Sequence, residues 1–95
     1  MIRHIVFFSA RQAGDLDIIH DGLMLLKDIP GARNFDVGRN LQTDPIPGMR
    51  VDLIVYAEFE DEAALADWKA HPLYQRSIQI VRPLRDVRIS ADFLA

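Results

Sequence analysis

The chain of 95 residues contains no cysteine, and it lacks the motifs of several common catalytic sites. Without cysteine, disulfide bonds and thiolate chemistry are excluded. The three histidines, His4, His20 and His71, stand far apart in the sequence and form no short metal-binding motif. The few glycines form neither a phosphate-binding loop nor the sharp turn that carries a nucleophilic serine. We therefore expect neither a cofactor nor a metal ion.

The chain also lacks a strong excess of charge of one sign and any long hydrophobic run. The net charge is −3, and the eleven basic residues are scattered rather than arranged in a stripe that could follow a phosphate backbone. No apolar run approaches the ~20 residues needed to cross a membrane, and the first residues lack the features of a secretion signal. We expect a cytoplasmic protein that binds neither nucleic acid nor membranes.

Hydrophobic residues are abundant, at 49% of the chain. A chain of this length is expected to form one domain, over residues 1–95, and to bury only somewhat over ~60% of its unfolded surface. Its core is therefore thin, and the composition holds more apolar surface than such a core easily covers. Composition alone thus favours a partner subunit.

Apolar periodicity and helix-breaking residues predict the order of strands and helices. Strands are predicted at 2–9, 32–40, 50–60 and 85–94. Helices are predicted from the cap Asp15 to Pro30, over 61–70 with the cap Asp61, and from Pro72 to the residue before Pro83. If the last two helices are counted as one helical segment with a break at His71, the order is β-α-β-β-α-β. This order predicts an α+β, ferredoxin-like fold, with a four-stranded antiparallel sheet and helices on one face.

The other face of this predicted sheet has no covering element, although the first, third and last strands place apolar residues on both faces. A bare apolar face of that size favours a homodimer with two sheets facing each other around a twofold axis. Curved sheets would then enclose a cavity, as in a homodimeric α+β barrel. We expect His4, Val6, Phe8, Leu53, Val55 and Phe93 to face this space between the sheets.

His4 is the residue best suited to acid–base chemistry. It alternates with apolar neighbours on the first predicted strand, so its imidazole is expected to be buried. On one interpretation, it projects into the cavity and exchanges protons near neutral pH, with a pKa tuned by burial. On the other, it is a structural group whose ring nitrogens find partners in the core.

Further candidates lie near the cavity ends. His71 and Tyr74 could overhang one end of the sheet, where Tyr74 could donate a hydrogen bond to an oxyanion and His71 could assist. His71 could equally cap the helix that begins at Pro72. Trp68 is a candidate ligand-binding residue. Arg39 could bind a carboxylate or phenolate at the cavity mouth, or could simply be solvated at a strand end.

Four stretches together resemble the stress-responsive A/B barrel (Dabb) domains. They are IRHIVFFSAR, IPGARNFDVGRN, VDLIVYAEFEDEAALADWKAHPLYQ and VRPLRDVRISADF, and the resemblance extends over nearly the whole chain. The most specific features are the strand histidine, the IPG followed by VGRN, and the AHP after an acid-capped helix. The resemblance implies a dimeric α+β barrel but no single activity.

One plant branch of that family resembles a polyketide cyclase that carries out an aldol condensation without a cofactor. In that branch, a tyrosine and a catalytic histidine stand where this chain has Trp68 and Tyr74. His4 and His71 match other histidines of the pattern. For this chain the resemblance implies a cavity with a polar lining, and the cyclase's catalytic histidine is absent.

Two functions fit these observations. The first is a homodimer with a small apolar cavity that binds a phenolic or carbonyl compound, with cofactor-free acid–base chemistry. The second is a non-catalytic, stress-associated dimer whose interface is filled by side chains. Ordinary packing density between the sheets would favour the second, and a void of some hundreds of Å³ beside His4 would favour the first.

Overall fold

The computed structural model of the chain describes residues 1–95 and contains one four-stranded antiparallel sheet with three helices. In chain order the elements are β1 (Ile2–Ala10), α1 (Leu16–Met24), β2 (Arg33–Arg39), β3 (Leu53–Phe59), α2 (Glu62–Ala70), α3 (Pro72–Val81) and β4 (Arg85–Leu94). Short 3-10 turns flank α1. The strands lie in the order β2-β3-β1-β4, so the predicted ferredoxin-like fold is confirmed.

The helix ends follow local chemistry, with one departure from expectation. The Asp61 carboxylate accepts a hydrogen bond of 2.8 Å from the Ala64 N–H and so caps α2 as predicted. Asp15 precedes α1 but makes no capping hydrogen bond, because its backbone is already helical rather than extended. The helical path ends at Ile29, whose extended backbone is the conformation favoured before Pro30. None of the three helices combines the length and hydropathy that crossing a bilayer requires.

The hydrophobic core lies between the helices and one face of the sheet. On that face, β1 and β3 pair so that Val6 lies opposite Val55 and Phe8 lies opposite Leu53. These residues and His4 are buried within the single chain. The expectation that they face a partner's sheet is therefore wrong. Apolar residues occupy both faces of β1 and β3, so alternation alone could not indicate which face the helices cover.

The opposite side of the sheet, here called the open face, carries apolar residues without a covering element. Phe7, Ile89 and Phe93 are 36%, 43% and 49% exposed. The strand register places Ile89 beside Phe7 and Phe93 beside Arg3, so they share one surface. A patch of this kind, on two neighbouring strands, is typical of a protein–protein interface.

Gly22 sets the close approach of α1 to α3, which together roof the sheet. A Cβ atom at this position would lie 2.9 Å from Cγ2 of Ile80 and 3.0 Å from Cγ2 of Val81. Both of those methyl groups are branches at Cβ and cannot swing away freely. The absence of a side chain at Gly22 therefore fixes the spacing of the two helices above the sheet.

Candidate functional site

A cavity of about 270 Å³ lies between the sheet and the helices of a single chain. Its wall is built by β1, β3 and β4 below and by all three helices above, through His4, Val6, Phe8, Leu23, Leu26, Val55, Trp68, Tyr74, Ser77, Ile78, Val81, Arg82, Arg85 and Arg88. A cavity of ~150 Å³ is enough to hold benzene. The space is therefore large enough for a substituted or fused aromatic ring.

The residues at the bottom of the cavity are buried, and those at its mouth are polar and exposed. His4, Val55 and Trp68 on its floor are each 1% exposed. Arg82 and Arg88, which line the same cavity, are exposed to solvent. A molecule entering past the arginines would therefore lose its water on the way to the histidine.

His4 is held by Asp92, a residue that the sequence did not single out. The two stand opposite each other in the β1–β4 register, and His4 Nδ1 is hydrogen-bonded to the Asp92 carboxylate. A carboxylate only accepts hydrogen bonds, so Nδ1 carries the hydrogen. The only side-chain hydrogen bond of His4 is made through Nδ1, and Nε2 is not one of the fully enclosed unpaired atoms, which are Arg3 Nε and Trp68 Nε1. His4 thus lines the cavity with one oriented nitrogen and one free acceptor.

Burial decides the protonation of this imidazole. It lowers the pKa of His4 below its ordinary value, and the charges of Lys69 and Arg88 act in the same direction. The hydrogen bond and negative charge of Asp92 oppose the shift without cancelling it. His4 is therefore neutral at physiological pH, with Nε2 available to accept a proton.

The lowered pKa predicts a pH dependence of stability. An unfolded chain protonates His4 near pH ~6.5, whereas the folded chain resists protonation until a lower pH. This contribution is therefore complete above ~6.5 and is lost as the pH falls toward the folded-state pKa, by at most about 1.4 kcal/mol per pH unit. The free energy of unfolding, measured with urea at neutral and mildly acidic pH, should fall more steeply with decreasing pH in the wild type than in His4→Gln. His20→Gln should keep the wild-type slope, and equal slopes in all three would contradict the expectation.

Aromatic side chains surround the histidine. The Trp68 ring packs edge-on against Phe59, Tyr74 and His4, with ring centroids 5.1, 5.4 and 5.9 Å away. The buried Trp68 Nε1–H has no hydrogen-bond partner. Tyr74 is half-buried on the cavity wall. Trp68 and Tyr74, both named from the sequence, are thus brought together with His4.

Three other residues named from the sequence lie outside the cavity wall. Leu53 is buried in the core below. Arg39 points to the protein surface, where it forms an ion pair of 2.7 Å with Asp17. His71 caps α3, since its Nδ1 accepts a hydrogen bond of 3.1 Å from the Leu73 N–H. Nowhere do three His, Cys, Asp or Glu side chains gather to hold a metal ion.

Sequence reasoning also missed the arginines of the cavity mouth. The basic residues are scattered along the chain, but Arg82, Arg85 and Arg88 converge in space on one cavity. Their spacing of three residues is visible in the stretch RPLRDVR. That spacing would not place Arg85 and Arg88 on the same face of a regular strand, so it gave no signal by itself.

Comparisons with known proteins agree with this architecture. The family model described as "Stress responsive A/B Barrel Domain" (Dabb) matches residues 2–95. Among curated proteins, none matches this chain.

Several solved structures are similar to this chain, and three bacterial ones illustrate the likeness. One is a Dabb family protein with a ferredoxin-like fold from Mesorhizobium loti, with a TM-score of 0.81, 22% identity, and coverage of 99% of this chain and 95% of that one. Another is a dimeric ferredoxin-like protein of unknown function from Thermobifida fusca, with a TM-score of 0.81, 22% identity, and coverage of 99% and 90%. A third is SnoaB, a cofactor-independent oxygenase from Streptomyces nogalater, with a TM-score of 0.71, 16% identity, and coverage of 99% and 91%. At these identities the likeness shows a shared fold.

Proposed function

Because this chain belongs to the stress-responsive A/B barrel (Dabb) family, as the sequence resemblance predicted, we propose that it is a homodimer in which each chain binds a small molecule. The ligand is a largely apolar phenolic or carbonyl compound held in the cavity between the helices and the sheet. The chemistry is a cofactor-free proton transfer at His4. The observation that carries this proposal is a buried imidazole on the cavity wall, whose Nδ1 is held by Asp92 and whose Nε2 forms no hydrogen bond within the chain.

The homodimer is supported by the open face and by relatives of the same fold. Exposed apolar side chains of β1 and β4 lie side by side on the open face. The similar protein from Thermobifida fusca is dimeric. Two sheets packed through their open faces would bury this patch and leave each helix-roofed cavity intact, because that cavity lies on the other side of the sheet.

His4, Asp92 and Tyr74 together supply the groups that a proton transfer needs. Nε2 of His4 takes a proton from a carbon beside the carbonyl group of the ligand, which leaves an enolate and an imidazolium. Asp92 holds the ring in the required tautomer and stabilises the imidazolium through Nδ1–H. The Tyr74 hydroxyl donates a hydrogen bond to the enolate oxygen. Return of the proton to the same or another atom completes the step.

Chemistry without a cofactor has a precedent in this fold. SnoaB is a cofactor-independent oxygenase with the same architecture. A shared fold does not transfer an activity, so this likeness supports only the idea that such a cavity suits cofactor-free chemistry.

The test uses 2-tetralone, a neutral bicyclic ketone with acidic hydrogens beside its carbonyl group. The protein is incubated with this ketone in D2O, and NMR follows the loss of the α-proton signals. We expect exchange faster than the same concentration of free imidazole gives. Binding of the ketone without faster exchange would favour the non-catalytic, stress-associated module instead.

A further inference from the structure

The cavity mouth carries three guanidinium groups that have no carboxylate partner. Arg82, Arg85 and Arg88 all line it, and none is within 4.0 Å of an acidic side chain. Acidic residues outnumber basic ones in the chain, 14 to 11, so partners were available in the composition. Among the other arginines, only Arg39 and Arg50 pair with a carboxylate, so an unpaired arginine is not unusual in this chain. What sets the mouth apart is that three unpaired guanidinium groups line the same cavity.

A β-bulge explains how two of these arginines come to face the cavity. Arg88 lies opposite Phe8 and Arg85 lies opposite Ala10, so three residues of β4 span two residues of β1. The extra residue turns both arginine side chains to the helix-covered side, where regular alternation would have separated them.

The charges at the mouth are held together against mutual repulsion. Burial, followed by the neighbouring charges of Arg88, Arg82 and Arg11, lowers the pKa of Arg85 from its ordinary value. Arg11 is tied to the same place, because its Nε–H donates a hydrogen bond of 3.0 Å to the Arg85 carbonyl oxygen. A bound anion would relieve this repulsion, and guanidinium groups match a carboxylate in geometry as well as in charge.

We infer that Arg85 and Arg88, assisted by Arg82, form a carboxylate site, and that the ligand of this cavity is a small apolar or aromatic carboxylate. The inference that the ligand is a carboxylate rests on the proposed function, because both use the same cavity. Arg88 lies opposite Phe8, four residues along β1 from His4, which corresponds to ~14 Å of strand. A carboxylate held at the mouth therefore places the body of the ligand over Val6, with its far end directed toward His4.

The apolar walls between the two ends agree with such a ligand. Between the arginines and the histidine, the cavity is lined by Val6, Leu23, Ile78 and Val81. These side chains offer no hydrogen bonds, so they suit a hydrocarbon or aromatic body. The result is a site with a charged anchor at one end and an acid–base group at the other.

The test compares two probes of nearly the same shape, 2-naphthoate and its neutral analogue 2-naphthamide, by isothermal titration calorimetry. We expect the wild type to bind the carboxylate roughly ten- to a hundredfold more tightly. The double variant Arg85→Gln/Arg88→Gln should lose this preference while still binding the amide. Arg88→Gln alone, at an exposed position, should lose part of it without loss of folding, which thermal unfolding monitors. Arg76→Gln, an exposed arginine of α3 outside the cavity wall, should keep the full preference.

The outcomes separate this ligand class from the proposed function. Equal affinity of the wild type for the two probes would overturn the carboxylate site and leave the cavity as a ligand site. A preference that survives in the double variant would likewise overturn the role of the arginines. Failure of both probes to bind would overturn the carboxylate site together with ligand binding in the cavity.

Discussion

Phe7→Asp is expected to convert the protein from a dimer to a monomer. Phe7 lies on the open face beside Ile89 and is 36% exposed in the single chain, so the monomer tolerates a polar residue there. In the proposed dimer, a twofold axis would bury the new charge twice without a partner. Each buried, unpaired charge costs several kcal/mol, which is enough to raise the dissociation constant by a factor of about a thousand or more.

Light scattering at micromolar concentration measures this effect as a fall in mass from twice 10.8 kDa to 10.8 kDa. Gln79→Asp adds the same charge at an exposed position of α3 and should leave the dimer intact. Leu53→Asp, on the other face, should unfold the chain instead of splitting the dimer, because Leu53 is buried beneath the helices. A wild type of monomer mass, or a Phe7→Asp variant of dimer mass, would contradict the proposed assembly.

His4→Gln is expected to slow the exchange of the α-protons of 2-tetralone by a factor of ~10² to 10⁴, the usual contribution of a positioned general base. Glutamine keeps a donor that can reach Asp92, but it has no atom that can take up a proton at neutral pH. The cavity should therefore still bind the ketone, so the variant separates chemistry from binding. NMR provides both the exchange rate and the affinity.

Two further variants define the cause of that loss. His20→Gln changes a histidine on α1 that does not line the cavity and should leave the exchange rate unchanged. Asp92→Asn should give a smaller loss than His4→Gln, because the ring remains but its orientation and tautomer are less well fixed. If the wild type exchanges the α-protons faster than free imidazole and His4→Gln exchanges them equally fast, another group is responsible for the activity.

The fold could be predicted from the sequence because each element carries a local signal. Stretches rich in β-branched and aromatic residues marked β1 and β3, and Asp61 and Pro72 marked the starts of two helices. Which face of the sheet the helices cover could not be predicted, since β1 is apolar on both faces. Register shift by one residue exchanges the faces, and only packing of the helices decides which set is buried.

The candidate site was only partly predictable, because its members meet through strand pairing. His4 stood out as a polar residue among apolar ones, and Trp68 and Tyr74 lie near it through the packing of α2 and α3. Asp92 is 88 residues away in the chain and reaches His4 only through the β1–β4 register. Arg85 and Arg88 share a face because of a bulge that the sequence does not signal.

The central claim is that a neutral His4 presents a free Nε2 to a molecule bound beneath the helices. The direct measurement is a proton–nitrogen NMR spectrum of the histidine rings at neutral pH, recorded while 2-tetralone is added. The account predicts that His4 carries its hydrogen on Nδ1 only and that its Nε2 signal shifts saturably with the ketone, while the His20 signals stay unchanged. A His4 ring protonated on both nitrogens, or a Nε2 signal that the ketone does not move, would contradict it.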